Sequence, residues 1–357
     1  MIKLLIVDDS ALMRRQLMTL FQAAGDFEIR QARNGDEAVR ENRDFQPDVV
    51  TLDINMPEMD GLTALSLIMA ERPVAVVMVS SLTNEGALAT FEALNLGAVD
   101  YISKPGGTIS LSIDRISEEL IAKVRSAARS RPRGKATVAS TVARRMQEER
   151  KKAASVASAL AAPRAPGDGL LVVGASTGGP RALEIVLSGL PASFPWPVLV
   201  AQHMPAAFTR AFAERLNQCC ALQVVEAGSS MPVEAGKIYI ARGGADMVLA
   251  KRAGRLTVLP MPENAQFLWH PSVELLGRSA LEHYDAKCLT AVLLTGMGYD
   301  GSDAFAEIKK RGGRTIAESE ESAVVYGMPA ELVAKGGASL VLAVEKVASQ
   351  LSIWAGR

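Results

Sequence analysis

One stretch of the chain combines a nucleophilic side chain with a turn that can support it. Residues 170–183 predict a buried strand, a glycine-rich turn that Gly174 starts, and a helix that Pro180 begins. Ser176 lies in that turn, near the free N–H groups of a helix N-terminus, so its hydroxyl can attack while its oxyanion has donors nearby. Two other interpretations stay open for this stretch: a plain strand–helix connection, and a loop that holds a dinucleotide pyrophosphate.

A general base for Ser176 has to come from the three histidines of the chain. His203 follows a strand predicted at 197–201, on the sheet edge where Ser176 is expected, and is the preferred base. His270 stands at a predicted helix start and is the second choice. His283 falls inside that helix and is expected to be a surface or partly buried residue.

Asp300 is a candidate for the third member of the set. It follows a strand predicted at 290–294, where an aspartate is either a turn or cap residue or the group that accepts the Nδ1–H of His203. The order Ser, His, Asp and the missing G-x-S-x-G motif argue against an α/β-hydrolase, but a triad is defined by geometry rather than by order.

A second set of polar residues belongs to the N-terminal part. Five apolar runs there alternate with helical patterns, which predicts a doubly wound parallel sheet: Leu4–Val7, Glu28–Ala32, Val49–Leu52, Val74–Val79 and Val99–Ile102. The polar residues that follow these strands are Asp8, Asp9, Asp53, Ser80 and Lys104. Three converging carboxylates are typical of a Mg²⁺ site, beside which Asp53 can attack a phosphoryl group while Lys104 balances its charge.

The remaining chain predicts a second α/β domain. Its expected strands are 170–173, 197–201, 237–241, 290–294 and 314–317, with a hairpin at 247–259 and a last apolar run at 339–343. We therefore expect three segments: a domain at 1–126, a basic, alanine-rich linker at 127–168, and a domain at 169–357. The linker is interpreted as solvated, with a nucleic-acid-binding or lipid-binding arm as the less favoured alternative.

The composition limits the class of protein. The 357 residues have a formal net charge of zero, which excludes electrostatic nucleic-acid binding by the chain as a whole. No signal peptide and no membrane span are predicted, and the three cysteines lack the spacing of a disulfide framework or metal site. We expect a monomeric cytoplasmic protein that neither binds nucleic acid nor inserts into a membrane.

The N-terminal segment resembles a two-component receiver domain of flavodoxin-like fold. The resemblance rests on Asp8-Asp9, on Asp53 with Met56-Pro57 and Asp60-Gly61, and on Ser80, Tyr101 and Lys104-Pro105. It implies phosphorylation of Asp53 by a sensor histidine kinase, and Mg²⁺ held by Asp8, Asp9, Asp53 and the main-chain carbonyl of Asn55. It also implies that Ser80, Tyr101 and Lys104 respond to the phosphoryl group.

The C-terminal segment resembles the chemotaxis protein-glutamate methylesterase family (CheB), which has a Rossmann-like fold. The resemblance rests on four stretches: 174–179, 202–205, 270–273 and 293–301. It implies Ser176 as nucleophile, His203 as general base and acid, Asp300 as its orienting group, and the N–H of Met297 as an oxyanion contact. The esterase needs no cofactor in this family.

The resemblance also implies a substrate and a form of control. Methyl-accepting chemoreceptors would lose glutamate methyl esters as methanol, and selected glutamines would be deamidated, as part of receptor adaptation. The unphosphorylated receiver is expected to limit access to Ser176. The alternative hypothesis is a response regulator whose second domain binds a nucleotide at the 174–179 turn and has no esterase activity.

Overall fold

The computed structural model of the chain describes residues 1–80, 84–104, 113–130 and 169–356, with only the backbone of 80, 84, 85, 103 and 113–117. The chain divides into two units, Met1–Arg145 and Met146–Arg357. Pro105 and most of the predicted linker, residues 131–168, lie outside the described residues. Within the described ranges, no helix is both long and apolar enough to cross a membrane.

The N-terminal unit alternates strands with helices. Its strands are β1 (Ile2–Val7), β2 (Phe27–Ala32), β3 (Val49–Asp53), β4 (Ala75–Ser80) and β5 (Asp100–Ser103). Its helices are α1 (Ala11–Ala24), α2 (Gly35–Phe45), α3 (Gly61–Glu71), α4 (Asn84–Leu96) and α5 (Ile113–Arg129). The described strands pair in parallel in the order β2-β1-β3-β4-β5, which confirms the predicted doubly wound sheet. Helix α5 runs past position 126 to Arg129.

Local chemistry explains where these helices begin. Ser10, Asn34 and Asp60 each accept a hydrogen bond from a backbone N–H in the first turn of α1, α2 and α3. Strand β3 is buried along its whole length, as expected for a central strand that is covered on both faces. The helix caps and the apolar strand together place the polar residues of the unit at the carboxyl edge of the sheet.

The second unit has the larger sheet. Its strands are β6 (Leu170–Ala175), β7 (Val198–Gln202), β8 (Gln223–Ala227), β9 (Met231–Pro232), β10 (Lys237–Ala241), β11 (Asp246–Arg252), β12 (Arg255–Met261), β13 (Leu289–Leu293), β14 (Arg314–Glu318) and β15 (Leu340–Leu342). Its helices are α6 (Gly179–Ser188), α7 (Ala206–Cys219), α8 (Val273–His283), α9 (Ser302–Lys310), α10 (Met328–Ala334) and α11 (Val344–Ala355).

The described strands of this unit form two sheets. The larger sheet is parallel throughout, in the order β15-β14-β13-β6-β7-β10-β8, and β11, β12 and β9 form a small antiparallel sheet. One face of the large sheet packs with α8, α9, α10 and the β11–β12 hairpin in a single hydrophobic cluster. The Rossmann-like fold and the hairpin around Arg252–Gly254 are therefore as predicted.

Two details of the large sheet differ from the sequence expectation. Gly174 does not start the turn but lies inside β6, where it lets α8 come close: a Cβ at this position would lie 2.3 Å from Cγ1 of Val273. Strand β8 was not predicted, because this edge strand mixes polar and apolar residues instead of showing a continuous apolar run. Its position at the edge keeps it away from the residues discussed below.

Gly301 connects the Asp300 loop to α9 under two constraints. It is the N-cap of α9 with φ of 85°, in the left-handed region that favours glycine. A Cβ on it would also lie 2.3 Å from Cγ1 of Val273, the first residue of α8. The starts of α8 and α9 are thus packed directly against each other.

A pair of glycine substitutions tests this packing. Gly301→Ala and Gly254→Ala both place alanine at a positive φ, at a strain of about 1–2 kcal/mol, but Gly254 has open space around it. We expect Gly301→Ala to lose roughly 1–3 kcal/mol more from overpacking. Urea unfolding followed by tryptophan fluorescence measures the difference, because all three tryptophans belong to the second unit. Equal losses in the two variants would contradict the close approach.

Candidate active site

Ser176 and His203 lie side by side at the carboxyl edge of the large sheet. Each directly follows its strand, β6 or β7, and the pairing of these strands aligns Ala175 with Gln202. The N–H of His203 donates to the carbonyl of Ala175 at 3.1 Å. Backbone pairing therefore places the two residues next to each other at the ends of adjacent strands.

The main chain of Ser176 is held from both neighbouring strands. Its N–H donates to the carbonyl of Thr295 at 3.0 Å, just beyond β13. Its carbonyl accepts from Nε2 of Gln202 at 3.0 Å and from the N–H of Gly179 at 2.7 Å. These three hydrogen bonds hold the main chain of Ser176 at the edge of the sheet.

Asp300 pairs with His203 and with the start of α8. Its Oδ2 lies 2.8 Å from Nε2 of His203, and the side chain is buried, with 4% of the residue exposed. The same carboxylate accepts from the N–H of Val273 at 2.7 Å, the N–H of Glu274 at 2.9 Å and the hydroxyl of Ser272 at 3.1 Å. These three donors all come from the N-terminus of α8.

These contacts set the ionisation of Asp300. Burial works to raise the pKa of the carboxyl, but the hydrogen bond and charge of His203, with the N–H groups of Glu274 and Val273, lower it further than burial raises it. The net pKa lies below the usual value. Asp300 is therefore ionised at neutral pH and can stabilise a positive charge on the ring of His203.

The predicted ring nitrogen was wrong. The sequence interpretation paired Nδ1 of His203 with Asp300, whereas the structure uses Nε2. The order of the strands gives the reason. Strand β13, which leads to Asp300, is separated from β7 by β6. Nε2, the ring nitrogen farther from the main chain of His203, therefore reaches Asp300 across the end of β6. Nδ1 is buried and has no hydrogen-bond partner within the described residues, which leaves it available to a proton donor such as Ser176. A loose nucleophile–base contact is common in free enzymes.

Met297 lies on the loop beside Ser176. Its neighbour Gly296 forms a bridge with Tyr326, and the preceding residue, Thr295, accepts the N–H of Ser176. The N–H of Met297 makes no hydrogen bond within the described part of the chain. An oxyanion contact requires a free donor of this kind on a loop that is bonded to Ser176.

The N-terminal unit gathers its carboxylates in the same way. Ligand oxygens of Asp8, Asp9 and Asp53 lie within 4.8 Å of one another. Nζ of Lys104 is 2.7 Å from Oδ2 of Asp53 and 3.0 Å from Oδ2 of Asp8. This oxygen donor set fits Mg²⁺, a hard cation that prefers carboxylates.

Burial and the charge of Asp8 raise the pKa of Asp53, and Lys104 opposes the shift. The pKa of Lys104 is itself raised, since its two carboxylate partners outweigh the effect of burial. A cation near Asp53 therefore favours the ionised form that a nucleophile needs.

The other residues implied by the receiver resemblance lie on or just after β3, β4 and β5. Ser80 ends β4, and its side chain lies outside the description. Tyr101 is buried on β5, and burial raises the pKa of its hydroxyl well above the usual value. The N–H of Asn55 lies 3.4 Å from Oδ1 of Asp53.

Comparison with known proteins decides the family. A family model described as CheB methylesterase matches residues 171–351, and one described as response regulator receiver domain matches residues 4–113. The chain is 54% identical to protein-glutamate methylesterase/protein-glutamine glutaminase 3 of Rhodospirillum rubrum over 360 residues, covering all of this chain and 97% of that protein. The chain belongs to the CheB methylesterase family.

Other relatives agree with the CheB assignment. A Rhodopseudomonas palustris protein named protein-glutamate methylesterase/protein-glutamine glutaminase 2 is 52% identical over 359 residues, covering 99% of this chain and 98% of that protein. The crystal structure of the Thermotoga maritima CheB methylesterase catalytic domain matches with a TM-score of 0.51 and 36% identity. That match covers 53% of this chain and 99% of the other.

In this CheB-family chain, His270 takes a different partner from His203. Its Nδ1 lies 3.0 Å from Oδ1 of the buried Asp246 and 3.1 Å from Oδ2, so the structure does not join the second-choice base to Asp300. Asp246 also accepts the N–H of Ser272 at 2.8 Å. His283 is the last residue of α8.

Sequence reasoning missed several residues of the CheB-type site. Ser272 caps α8 and donates to Asp300, and Trp269 stacks on the ring of His203 with the planes 6° apart and the centroids 5.7 Å apart. The helix-start pattern could have identified Ser272 as a cap, but its partner is distant in sequence. No local signal marks Trp269, because only the fold brings its loop to His203.

The lowered pKa of Asp300 predicts how stability depends on pH. The ionised group stabilises the fold fully above the usual carboxyl pKa of about 4, and the contribution is lost as pH falls through the lowered pKa of the folded state. We therefore expect wild type to be more stable than Asp300→Asn at neutral pH and to lose that advantage in acid below about pH 4.

Urea unfolding followed by tryptophan fluorescence, repeated from pH 7 downwards, measures this difference. Asp303→Asn is the matched control, since Asp303 is exposed and its loss should change stability by no more than about 0.5 kcal/mol. A gap between wild type and Asp300→Asn that stays constant in acid would contradict the assigned ionisation.

Proposed function

We propose that this chain is a phosphorylation-activated response regulator whose C-terminal domain hydrolyses glutamate γ-methyl esters on methyl-accepting chemoreceptors. The products are glutamate and methanol, and specific glutamines are deamidated at the same site. The observation that carries the proposal is the contact between His203 and Asp300 beside Ser176, in a chain of the CheB methylesterase family.

The geometry indicates how the residues divide the chemistry. Ser176 Oγ attacks the ester carbonyl carbon while Nδ1 of His203 takes the hydroxyl proton. Asp300, bound to Nε2, stabilises the imidazolium that forms. The N–H of Met297 donates to the oxyanion of the tetrahedral intermediate.

Collapse of that intermediate completes the first half of the reaction. The carbon–oxygen bond to the methoxy group breaks, and His203 gives its proton to the departing methanol. A glutamyl ester of Ser176 remains. Water, deprotonated by His203, attacks this ester, and the return of the proton to Ser176 Oγ releases glutamate. A glutamine amide follows the same path with ammonia as the leaving group.

The receiver supplies the control. Asp53 accepts a phosphoryl group from a sensor histidine kinase, and Lys104 pairs with the added charge. Asp8, Asp9, Asp53 and the carbonyl of Asn55 would hold Mg²⁺, which neutralises charge on the phosphoryl oxygens when it is bound. Ser80 and Tyr101 would respond to the phosphoryl group and pass the change on. Activation is then a shift in a conformational equilibrium.

The proposal extends to organisation and location. We assign residues 1–126 to the receiver, 127–168 to a linker and 169–357 to the esterase. The chain would act as a monomer in the cytoplasm, where the methylated helices of chemoreceptors lie. The alternative of a nucleotide-binding second domain has no support from the relatives, which are named as methylesterases and glutaminases.

Substitution of the nucleophile tests the esterase. Ser176→Ala should lower the rate of methanol release from methylated receptor membranes by about 10³-fold or more, because no other group forms the acyl intermediate. Ser188→Ala, at the far end of α6, removes the same hydroxyl from outside the site and should leave the rate unchanged. Near-normal activity of Ser176→Ala would refute the assignment.

Substitution of the phosphoacceptor tests the control. Asp53→Asn should retain basal methanol release but lose the stimulation that a small-molecule phosphodonor gives wild type, because the amide is not a nucleophile. Asp44→Asn, an exposed aspartate of the same unit, should respond like wild type. The control model fails if the phosphodonor stimulates Asp53→Asn as strongly as the wild type.

A further inference from the structure

The N-terminus of α9 lacks a cap of its own. Its N-cap is Gly301, which offers no side-chain acceptor for the first N–H groups of the helix. Asp300, the residue before this cap, is directed to the other helix and bonds the start of α8. A buried helix start needs another acceptor for its N–H groups.

Glu274 of α8 provides that acceptor. Its Oε2 accepts the N–H of Ala304, in the first turn of α9, at 2.9 Å, and its Oε1 accepts from Nε of Arg278 at 2.7 Å. Glu274 is itself buried, and its own N–H donates to Asp300. The two helix starts are therefore capped reciprocally. Asp300, just before α9, caps α8, and Glu274, in the first turn of α8, caps α9.

We propose that Glu274 is a positioning residue for the esterase: its carboxylate fixes the start of α9, and with it the loop that carries Asp300 against His203. The inference rests on the proposed function for its kinetic readout. The observation that carries the inference is the hydrogen bond from Ala304 to Glu274. This bond joins α9, which follows the Asp300 loop, to α8, the helix that Asp300 caps.

The alternative explanation is the ion pair with Arg278. That arginine side chain is 57% exposed and pairs with Glu274 one helical turn along α8. Water around the exposed guanidinium weakens this pair, and the pair uses Oε1 of Glu274, whereas the N–H of Ala304 donates to Oε2. Removing Arg278 therefore separates the ion pair from the hydrogen bond to Ala304.

Removal of the Glu274 acceptor should affect turnover more than binding. In Glu274→Ala the N–H of Ala304 loses its partner in a buried position, so the helix start relaxes and Asp300 moves relative to His203. Small displacements of catalytic groups have large effects, and we expect kcat to fall about tenfold or more. KM should not change, because Glu274 acts through Asp300 and does not contact the substrate.

Three further variants test whether the fall in kcat comes from the lost bond to Ala304. Glu274→Gln keeps a side-chain oxygen for Ala304 and should keep kcat close to wild type. Arg278→Met removes the ion pair, together with the contact of the guanidinium with the ring of Phe267, but leaves the bond to Ala304, and it should do the same. Glu345→Ala is the matched control, because Glu345 also follows a valine in the first turn of a helix, α11, whose N-cap has no side-chain bond. It should have wild-type kinetics.

The experiment uses the full chain with a phosphodonor and methylated receptor membranes. The proposal is supported if kcat falls in Glu274→Ala while Glu274→Gln, Arg278→Met and Glu345→Ala behave like wild type. It is overturned if Glu274→Ala retains the wild-type kcat, or if Glu274→Gln or Arg278→Met falls as far. If Glu274→Ala does not fold, Glu274→Gln decides the question. A fall in the kcat of Glu274→Gln overturns the proposal, and a wild-type kcat supports the proposal.

A second readout does not depend on activity. In ¹⁵N-histidine spectra, the Nε2 proton of His203 should exchange with solvent at least about tenfold faster in Glu274→Ala than in Glu345→Ala, because its bond to Asp300 opens more often. Equal exchange rates would overturn the positioning role. Wild type that releases no methanol would refute the proposed function instead, and the exchange rates would still decide this inference.

Discussion

The buried carboxylate of Asp300 needs several donors at once, because an ionised group away from water is strongly unfavourable without them. The start of α8 meets most of that need with two N–H groups and the Ser272 hydroxyl. Unpaired N–H groups and the partial positive charge of a helix N-terminus make this a favourable place for an anion. The last donor is Nε2 of His203, so the same arrangement that keeps Asp300 ionised also orients the imidazole.

Much of the second unit follows from that requirement. Helix α8 must approach β6 closely, and Gly174 leaves room for Val273 to do so. The loop after β13 must bring Asp300 across the end of β6, which leaves Ser176 between the strands that carry its two partners. The start of α8 also bonds Asp246, which holds His270, so one helix N-terminus stabilises two histidine–carboxylate pairs.

The sequence could predict what depends on local pattern. Apolar runs marked the central strands, and polar residues after them marked Ser176, His203 and Asp53. It could not predict which ring nitrogen of His203 meets Asp300, because this depends on the order of strands in the sheet. It also missed Trp269 and the bond between Glu274 and Ala304, since these contacts join segments far apart in the chain. Strand β8 was missed because an edge strand needs no continuous apolar run.

The central claim is that Asp300 holds the Nε2 proton of His203 and leaves Nδ1 free to accept the proton of Ser176. The most direct measurement is the ¹⁵N spectrum of histidine-labelled protein at neutral pH, with the His203 signals identified by their loss in His203→Gln. With only three histidines in the chain, the assignment is unambiguous. In the uncharged form of the ring, we predict that the proton lies on Nε2 and that Nδ1 is unprotonated. A proton on Nδ1, with Nε2 unprotonated, would contradict the account.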